Sequence, residues 1–260
     1  MLKVIDTHAH LDELENLEPA LNKAKESGVI AVIAVGSSLE SNQKVMGICL
    51  KYPAFVYPAF GLHPWELGSL KPDQIDTTLG FIEERVAEIV AIGEIGLDYD
   101  KRVVKVAPKE LQKEVFKRLL ALAKAYEKPP IVHSRYAWKD CFEMVKEAGI
   151  KKAVFHWFTG FSSVLKEILD AGYLISATPA AEYHEEHRRA IRETSLDKLL
   201  LETDCPVTYG KENKYRSEPA DILRSLKAVA ALKGTDEVDI AKQTTYNASD
   251  VFGLASIQVS

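Results

Sequence analysis

The run "GVIAVIAVG" from Gly28 to Gly36 is apolar, rich in β-branched residues and bounded by glycines. That is the pattern of a strand buried on both faces, as in a parallel sheet. Comparable short runs occur at "LKVID", "AFVYPAF", "EIVAIG", "PPIVH", "KAVFH", "GYLISA" and "KLLLETD". Between them the apolar positions fall at helical spacing. "LEPALNKAKESG" closes on a glycine, as a helix C-terminus does, and "PKELQKEVFKRLLALAKAYEK" opens on a proline. "AWKDCFEMVKEAG", "FSSVLKEILDAG", "YHEEHRRAIRET" and "EPADILRSLKAVAALKG" read the same way. Eight strand candidates, each followed by a helical segment with one helix to spare, predict a (β/α)₈ barrel. An open doubly wound sheet would carry a phosphate-binding glycine loop, and neither G-x-G-x-x-G nor G-x-x-x-x-G-K-[ST] occurs. No linker divides the chain, so residues 1–260 are expected to form a single domain.

The polar residues that interrupt this pattern collect at strand ends. "VIDTHAHLDE" places His8 and His10 two residues apart, so in an extended strand both rings face one side, with Asp6 before them on the same parity. Two imidazoles aimed at one point are a usual way to hold a divalent ion; a surface or hydrogen-bonded pair is the plainer alternative. Glu94 closes "VAIGE", His133 closes "PIVH", His156 closes "AVFH" and Asp204 closes "LLLETD", while His63 follows the third strand in "GLHP". Six such residues at the carboxyl ends of strands one, four, five, six and eight argue for a metal site on the face where barrel enzymes work. Four imidazoles and two carboxylates exceed the needs of one catalytic ion. Two ions about 3.5–4 Å apart would use them all. Glu94 is then the natural bridge, and Asp204 would ligate one ion and orient or deprotonate its water.

Composition narrows the setting. A net charge of −5 gives no bulk attraction for nucleic acid. Cys49, Cys141 and Cys205 are odd in number and far apart, which fits neither a disulfide framework nor a C-x-x-C site and suggests a reducing, cytoplasmic location. No signal-peptide pattern opens the sequence, and the longest apolar run is too short to span a bilayer. Neither membrane association nor an obligate protein partner is expected.

In "DTHAH", "GLHP", "AIGEIGLDY", "VHSR", "HWFTG" and "ETDCP", in that order from Asp6 to Pro206, the chain resembles the TatD-type deoxyribonucleases of the amidohydrolase superfamily. The resemblance runs from Asp6 to about Leu254. It implies a (β/α)₈ barrel that binds divalent ions (Mg²⁺, Mn²⁺ or Zn²⁺) and cleaves DNA, often from the 3′ end of single strands. It implies that His8, His10, Glu94 and Asp204 hold one ion and that Glu94, His133 and His156 hold a second. His63 and Arg135 are similar to the family's substrate-contacting histidine and phosphate-facing arginine. Ser217 stands where the family commonly has asparagine before Glu-Pro, and "SATPAAEYHEEH" replaces its glycine-rich stretch. No lysine lies in "EIVAIGEIGLDY", so the carbamylated-lysine bridge of phosphotriesterase-like and hydantoinase-like relatives is not available.

Other residues carry two readings each. Asp6 and Glu202 have the parity to support metal-bound histidines from beneath, or are buried carboxylates bonded elsewhere. Asp98 orients a loop or is a plain turn residue. His184 and His187 in "EYHEEHRR" are expected on a solvated helix face, since the order is wrong for a zincin helix. Trp138, Trp157 and Tyr99 stack on bases or pack under loops. The stretch from Lys211 to Arg216, with Tyr209 and Tyr215, tracks a phosphate backbone or is a solvated loop. Cys205 packs as a small apolar residue. Three functions compete: a metal-dependent nuclease acting on DNA strand ends, a hydrolase of small esters, lactones or amides at the same ions, and a non-catalytic barrel that binds nucleic acid or protein.

Overall fold

The computed structural model describes residues 2–254. All eight expected strands form: β1 (Val4–Ala9), β2 (Val29–Val35), β3 (Val56–Phe60), β4 (Ala91–Asp98), β5 (Pro130–Arg135), β6 (Val154–Phe155), β7 (Leu174–Ala177) and β8 (Leu199–Leu201). Each pairs in parallel with the next, in chain order. The ring closes where Ala9 bridges Cys205 and the Asp204 N–H donates to the His8 carbonyl at 2.9 Å. This is a (β/α)₈ barrel.

Helices α1 (Leu17–Glu26), α2 (Leu39–Lys51), α3 (Pro72–Glu84), α4 (Lys101–Val106), α5 (Lys109–Ala125), α6 (Trp138–Glu147), α7 (Ser162–Asp170), α8 (Glu185–Glu193), α9 (Ile222–Lys233) and α10 (Glu237–Phe252) lie between and after the strands. Their apolar stripes build the outer layer. On α5, Val115, Phe116, Leu119, Leu120 and Ala123 are buried at the spacing its sequence shows. A separate cluster takes at least one residue from every barrel strand, from Ile5 on β1 to Leu200 on β8, and from the helices only Ala248, Val251 and Phe252 of α10. That is the barrel interior, plugged at its amino-terminal end by α10. A short hairpin, β9 (Thr208–Tyr209) with β10 (Tyr215–Arg216), follows β8. Among the described residues no helix is long and apolar enough to cross a membrane.

Two register shifts shape the carboxyl ends of the strands. Pairing of β1 with β2 shifts between Asp6 and Ala9, and pairing of β4 with β5 shifts between Ile92 and Ile95. The first spans Thr7 and His8 and the second Gly93 and Glu94, so simple alternation does not carry through from the apolar interior to the polar strand ends.

Candidate metal centre

The carboxyl ends of the strands bring all six predicted ligands together. His8 Nε2 and His10 Nε2 lie 3.3 Å apart. Each faces Glu94 Oε2, at 3.4 and 3.3 Å, and each lies 3.5 Å from Asp204 Oδ1. On the other side of the same carboxylate, Glu94 Oε1 lies 2.7 Å from His156 Nε2, 2.8 Å from His133 Nδ1 and 3.5 Å from His63 Nε2. His156 Nε2 and His133 Nδ1 are 3.5 Å apart. Glu94 thus presents one oxygen to each of two groups of donors.

Local backbone fit makes this convergence possible. Glu94 passes hard against Gly61, where a Cβ would come within 2.3 Å of the Glu94 carbonyl oxygen. Asn42, buried on α2, clamps that glycine by donating to its carbonyl and accepting from its N–H, which fixes the turn carrying His63. Gly96, at φ +148, lets β4 approach His133, whose carbonyl oxygen would sit 2.0 Å from an added Cβ. Three non-glycine residues just past strand ends hold left-handed backbone: Asp204 (φ 50), Trp157 (φ 38) and Tyr136 (φ 57). Such conformations cost about 1–3 kcal/mol each and persist where a site demands them.

The donor set fits a divalent cation. His8 Nε2 and His10 Nε2 lie 3.3 Å apart, and each lies 3.3–3.5 Å from Glu94 Oε2 and from Asp204 Oδ1. A tetrahedral ion with arms of about 2.1 Å spaces its ligands by about 3.4 Å. Four nearly buried groups in mutual contact are hard to satisfy by hydrogen bonds alone, since two imidazole nitrogens point at each other. Burial pushes the Glu94 carboxyl up, but the imidazoles of His156, His63 and His8 and the bond from His10 outweigh it and hold the group well below the usual carboxylate range. Burial likewise opposes charge on His10, yet its bonds to Asp204 and Glu94 raise it well above the ordinary imidazole value. His63 goes the other way, pushed down to about 4 by burial despite Glu94.

A second layer of polar residues anchors the ligands. Asp98 is the residue the sequence undervalued. It is fully buried and accepts from Trp65 Nε1 at 2.6 Å and from the Asp100 N–H at 2.8 Å, with His133 Nε2 3.1 Å away and Arg135 Nε donating at 3.1 Å. Burial opposes its charge, but the bonds from His133 and Trp65 hold it below the normal carboxylate range. The signal was present: Asp98 stands four residues beyond Glu94 on one strand, and it pairs in register with Arg135. Glu202 lies beside His156, its Oε1 3.5 Å from His156 Nδ1, and accepts from the Trp157 N–H. Asp6 does not reach a histidine ring. The shift in β1 turns it to the barrel seam, where it accepts from the N–H groups of His8 and Thr203 and bonds Thr203 Oγ1 at 2.6 Å.

Above the donors opens a cleft of about 980 Å³. Trp138 and Trp157 line it, with Trp65, Tyr136 and Phe161, three exposed aromatics the sequence did not single out. Tyr99 lies elsewhere: its hydroxyl bonds Asp140 and its ring sits under Lys109. The Lys211–Arg216 stretch forms the hairpin, and Tyr209 is buried with its hydroxyl on the Thr203 carbonyl, so it offers no face to a base. Cys205 packs in the core. His187 corrects the expectation of a solvated face. It is fully buried, its Nε2 accepts from the Thr178 N–H and its Nδ1 lies 3.0 Å from the Phe158 carbonyl. A second cavity, of about 650 Å³, opens at the amino-terminal end of the barrel. Its lysines, such as Lys128 on the Ile89 carbonyl and Lys152 on Asp250, already have partners.

Comparison with known proteins agrees with this geometry. A family model described as TatD related DNase matches residues 5–253. The deoxyribonuclease TATDN3 of Homo sapiens is 34% identical over 96% of the chain and 94% of its own length. The metal-dependent hydrolase YabD of Bacillus subtilis is also 34% identical, over 96% and 99%. Among solved structures, the TatD homologue YJJV of Escherichia coli superposes with a TM-score of 0.86 at 27% identity, covering 96% of this chain and 98% of that one.

Proposed function

The chain belongs to the TatD-related DNase family, and from that premise we propose that it is a binuclear metal-dependent deoxyribonuclease that removes nucleotides from the 3′ end of single-stranded DNA. The observation that carries this reading is Glu94, which turns one oxygen toward His8 and His10, the two rings that Asp204 also faces, and the other toward His133 and His156. A divalent ion on each side would supply Lewis acidity, lowering the pKa of water and polarising a phosphoryl oxygen. Zinc, manganese and magnesium are all compatible with these histidine and carboxylate donors.

The chain's own residues do the rest. Asp204, fixed at its strand end by the bond from its N–H to the His8 carbonyl, orients the attacking water and takes its proton. Arg135, held at Nε by Asp98 and with its Nη2 3.5 Å from Asp100, presents its guanidinium edge to the non-bridging oxygens of the scissile phosphate. His63 accepts at Nδ1 from the Trp65 N–H, so its Nε2, 3.5 Å from Glu94 Oε1, carries the proton at the edge of the site where the same phosphate would lie. A cytoplasmic location accords with three unpaired cysteines, two of them buried.

The test is cleavage of 5′-labelled single-stranded DNA by protein stripped with chelator and reloaded with magnesium, manganese or zinc, with Asp204→Asn alongside. Metal-dependent laddering from the 3′ end that disappears in the variant is the expected result. Full activity in Asp204→Asn would remove its assigned role. No cleavage under any bound metal would sink the nuclease reading and leave a hydrolase of small esters.

A further inference from the structure

Five large aromatic side chains are exposed on the described surface, and three of them ring the cleft: Trp65 (53% exposed), Tyr136 (62%) and Phe161 (68%). All three tryptophans of the chain line the same cleft. Tyr136, Trp138 and Phe161 form a continuous strip. Tyr136 and Trp138 meet edge to face at 5.8 Å between centroids, and Trp138 and Phe161 at 5.5 Å. In each such contact one ring gives an edge and the other a face, and the two outer rings, Tyr136 and Phe161, stay mostly exposed on either side of Trp138.

The strip is held in place rather than merely exposed. Tyr136 directly follows Arg135 and keeps its left-handed backbone at φ 57, a conformation that costs energy and puts the ring in solvent instead of the core. Gly160 is pressed onto Trp138, where an added Cβ would lie 2.6 Å from the indole Cγ. Arg189 donates to the Gly160 carbonyl and to Ser162 Oγ, tying down both neighbours of Phe161. Rigid aromatic faces beside a phosphate-handling centre suit a planar, unpaired base.

Charge strengthens the case for stacking. The cleft wall carries Arg135 and Arg189, against Glu13, Glu66 and Glu186. Two arginines against three glutamates give the wall little net attraction for a phosphate backbone. Beyond the scissile phosphate, the grip on a strand then falls mainly to its bases.

We infer that the Tyr136–Trp138–Phe161 strip is a base-stacking subsite that grips unpaired nucleobases next to the phosphate at the metal centre, and that it, rather than electrostatics, selects single strands. The inference rests on the nuclease reading for the placement of that phosphate. Binding is measured without turnover, by quenching of tryptophan fluorescence in metal-free protein. The probes are a ten-residue oligothymidylate, an abasic strand with the same number of phosphates, and a blunt duplex.

The oligothymidylate should bind at least about tenfold more tightly than either control, with a weak dependence on salt. Tyr136→Ala and Phe161→Ala, at exposed positions, should melt as wild type and each weaken oligothymidylate binding about 5- to 100-fold while leaving the abasic strand unaffected. Equal affinity for the base-containing and abasic strands overturns the inference, as does equal loss of both in the variants. The two readings separate cleanly. If base-dependent binding holds while the metal-loaded protein hydrolyses nothing, the nuclease reading fails and the subsite stands; cleavage that ignores the bases does the reverse.

Discussion

The seven histidines divide between two regions that use the same side chain in opposite ways. His8, His10, His63, His133 and His156 crowd the strand ends, where their partners are the carboxylates of Glu94 and Asp204 and one another. His184 and His187 sit at the start of α8 and turn to backbone. His187 has a peptide group on each ring nitrogen, and His184 Nδ1 caps the helix by accepting from the His187 N–H. A histidine with two backbone partners is complete as a neutral ring. Histidines that share a carboxylate with other histidines are completed by a cation. Burial alone does not tell the two apart, since members of both regions are buried.

The largest effect that can break this contrast is at Glu94. Glu94→Gln removes the charge shared by both groups of donors and is expected to lower activity on the order of 10³-fold or more and to abolish tight metal binding. Metal analysis after dialysis alongside the kinetics checks both. Retention of two ions by that variant would mean the carboxylate does not bridge.

Acid stability tests the other region. Burial pushes His187 from 6.5 down to about 4, although the Phe158 carbonyl pulls the other way. Between those values the unfolded chain takes up a proton that the folded state refuses, so stability is lost as pH falls through that window. A proton refused across that window corresponds to about 3 kcal/mol. Denaturant melts in chelator should show that loss in wild type, and His187→Gln should flatten it. An unchanged slope would show that the ring is not held neutral.

Asp98→Asn comes next. Its carboxylate faces both His133 and Arg135, and loss of such support typically costs about 10- to 100-fold in metal affinity or activity. Titration of metal into stripped protein would register it; wild-type affinity and rate would reduce Asp98 to a turn residue. The smallest effect is at His184. His184→Ala is expected to cost about 0.5–1 kcal/mol through the helix cap and to leave metal content untouched, as melting and metal analysis would show.

These contrasts mark how far the sequence could be read. The strands were legible because interior and helix-facing residues alternate across apolar runs with clear glycine and proline boundaries, and the ligands because they interrupt those runs at their carboxyl ends. His8 and His10 converge as the two-residue spacing predicts. Asp6 does not, because the register shift between Asp6 and Ala9 breaks the alternation beneath them, and no local residue pattern announces it. His187 was misread because a charged helix start hides one inward position; only the packing of α8 under the Phe158 loop reveals it. Asp98 carried a usable signal in its parity with Glu94, whereas the clamp of Asn42 on Gly61 joins two segments far apart in the chain and is visible only in the fold.

The most direct test of the account is to locate the ions by anomalous diffraction from crystals of manganese- or zinc-loaded protein. Two sites about 3.5–4 Å apart, one among His8, His10, Glu94 and Asp204 and the other among Glu94, His133 and His156, would establish the centre as described. A single ion held by His8, His156 and Glu202, or by His63, Glu94 and His133, two further groups of donors among the described residues close enough to share one, would contradict it, because Glu94 would then bridge nothing.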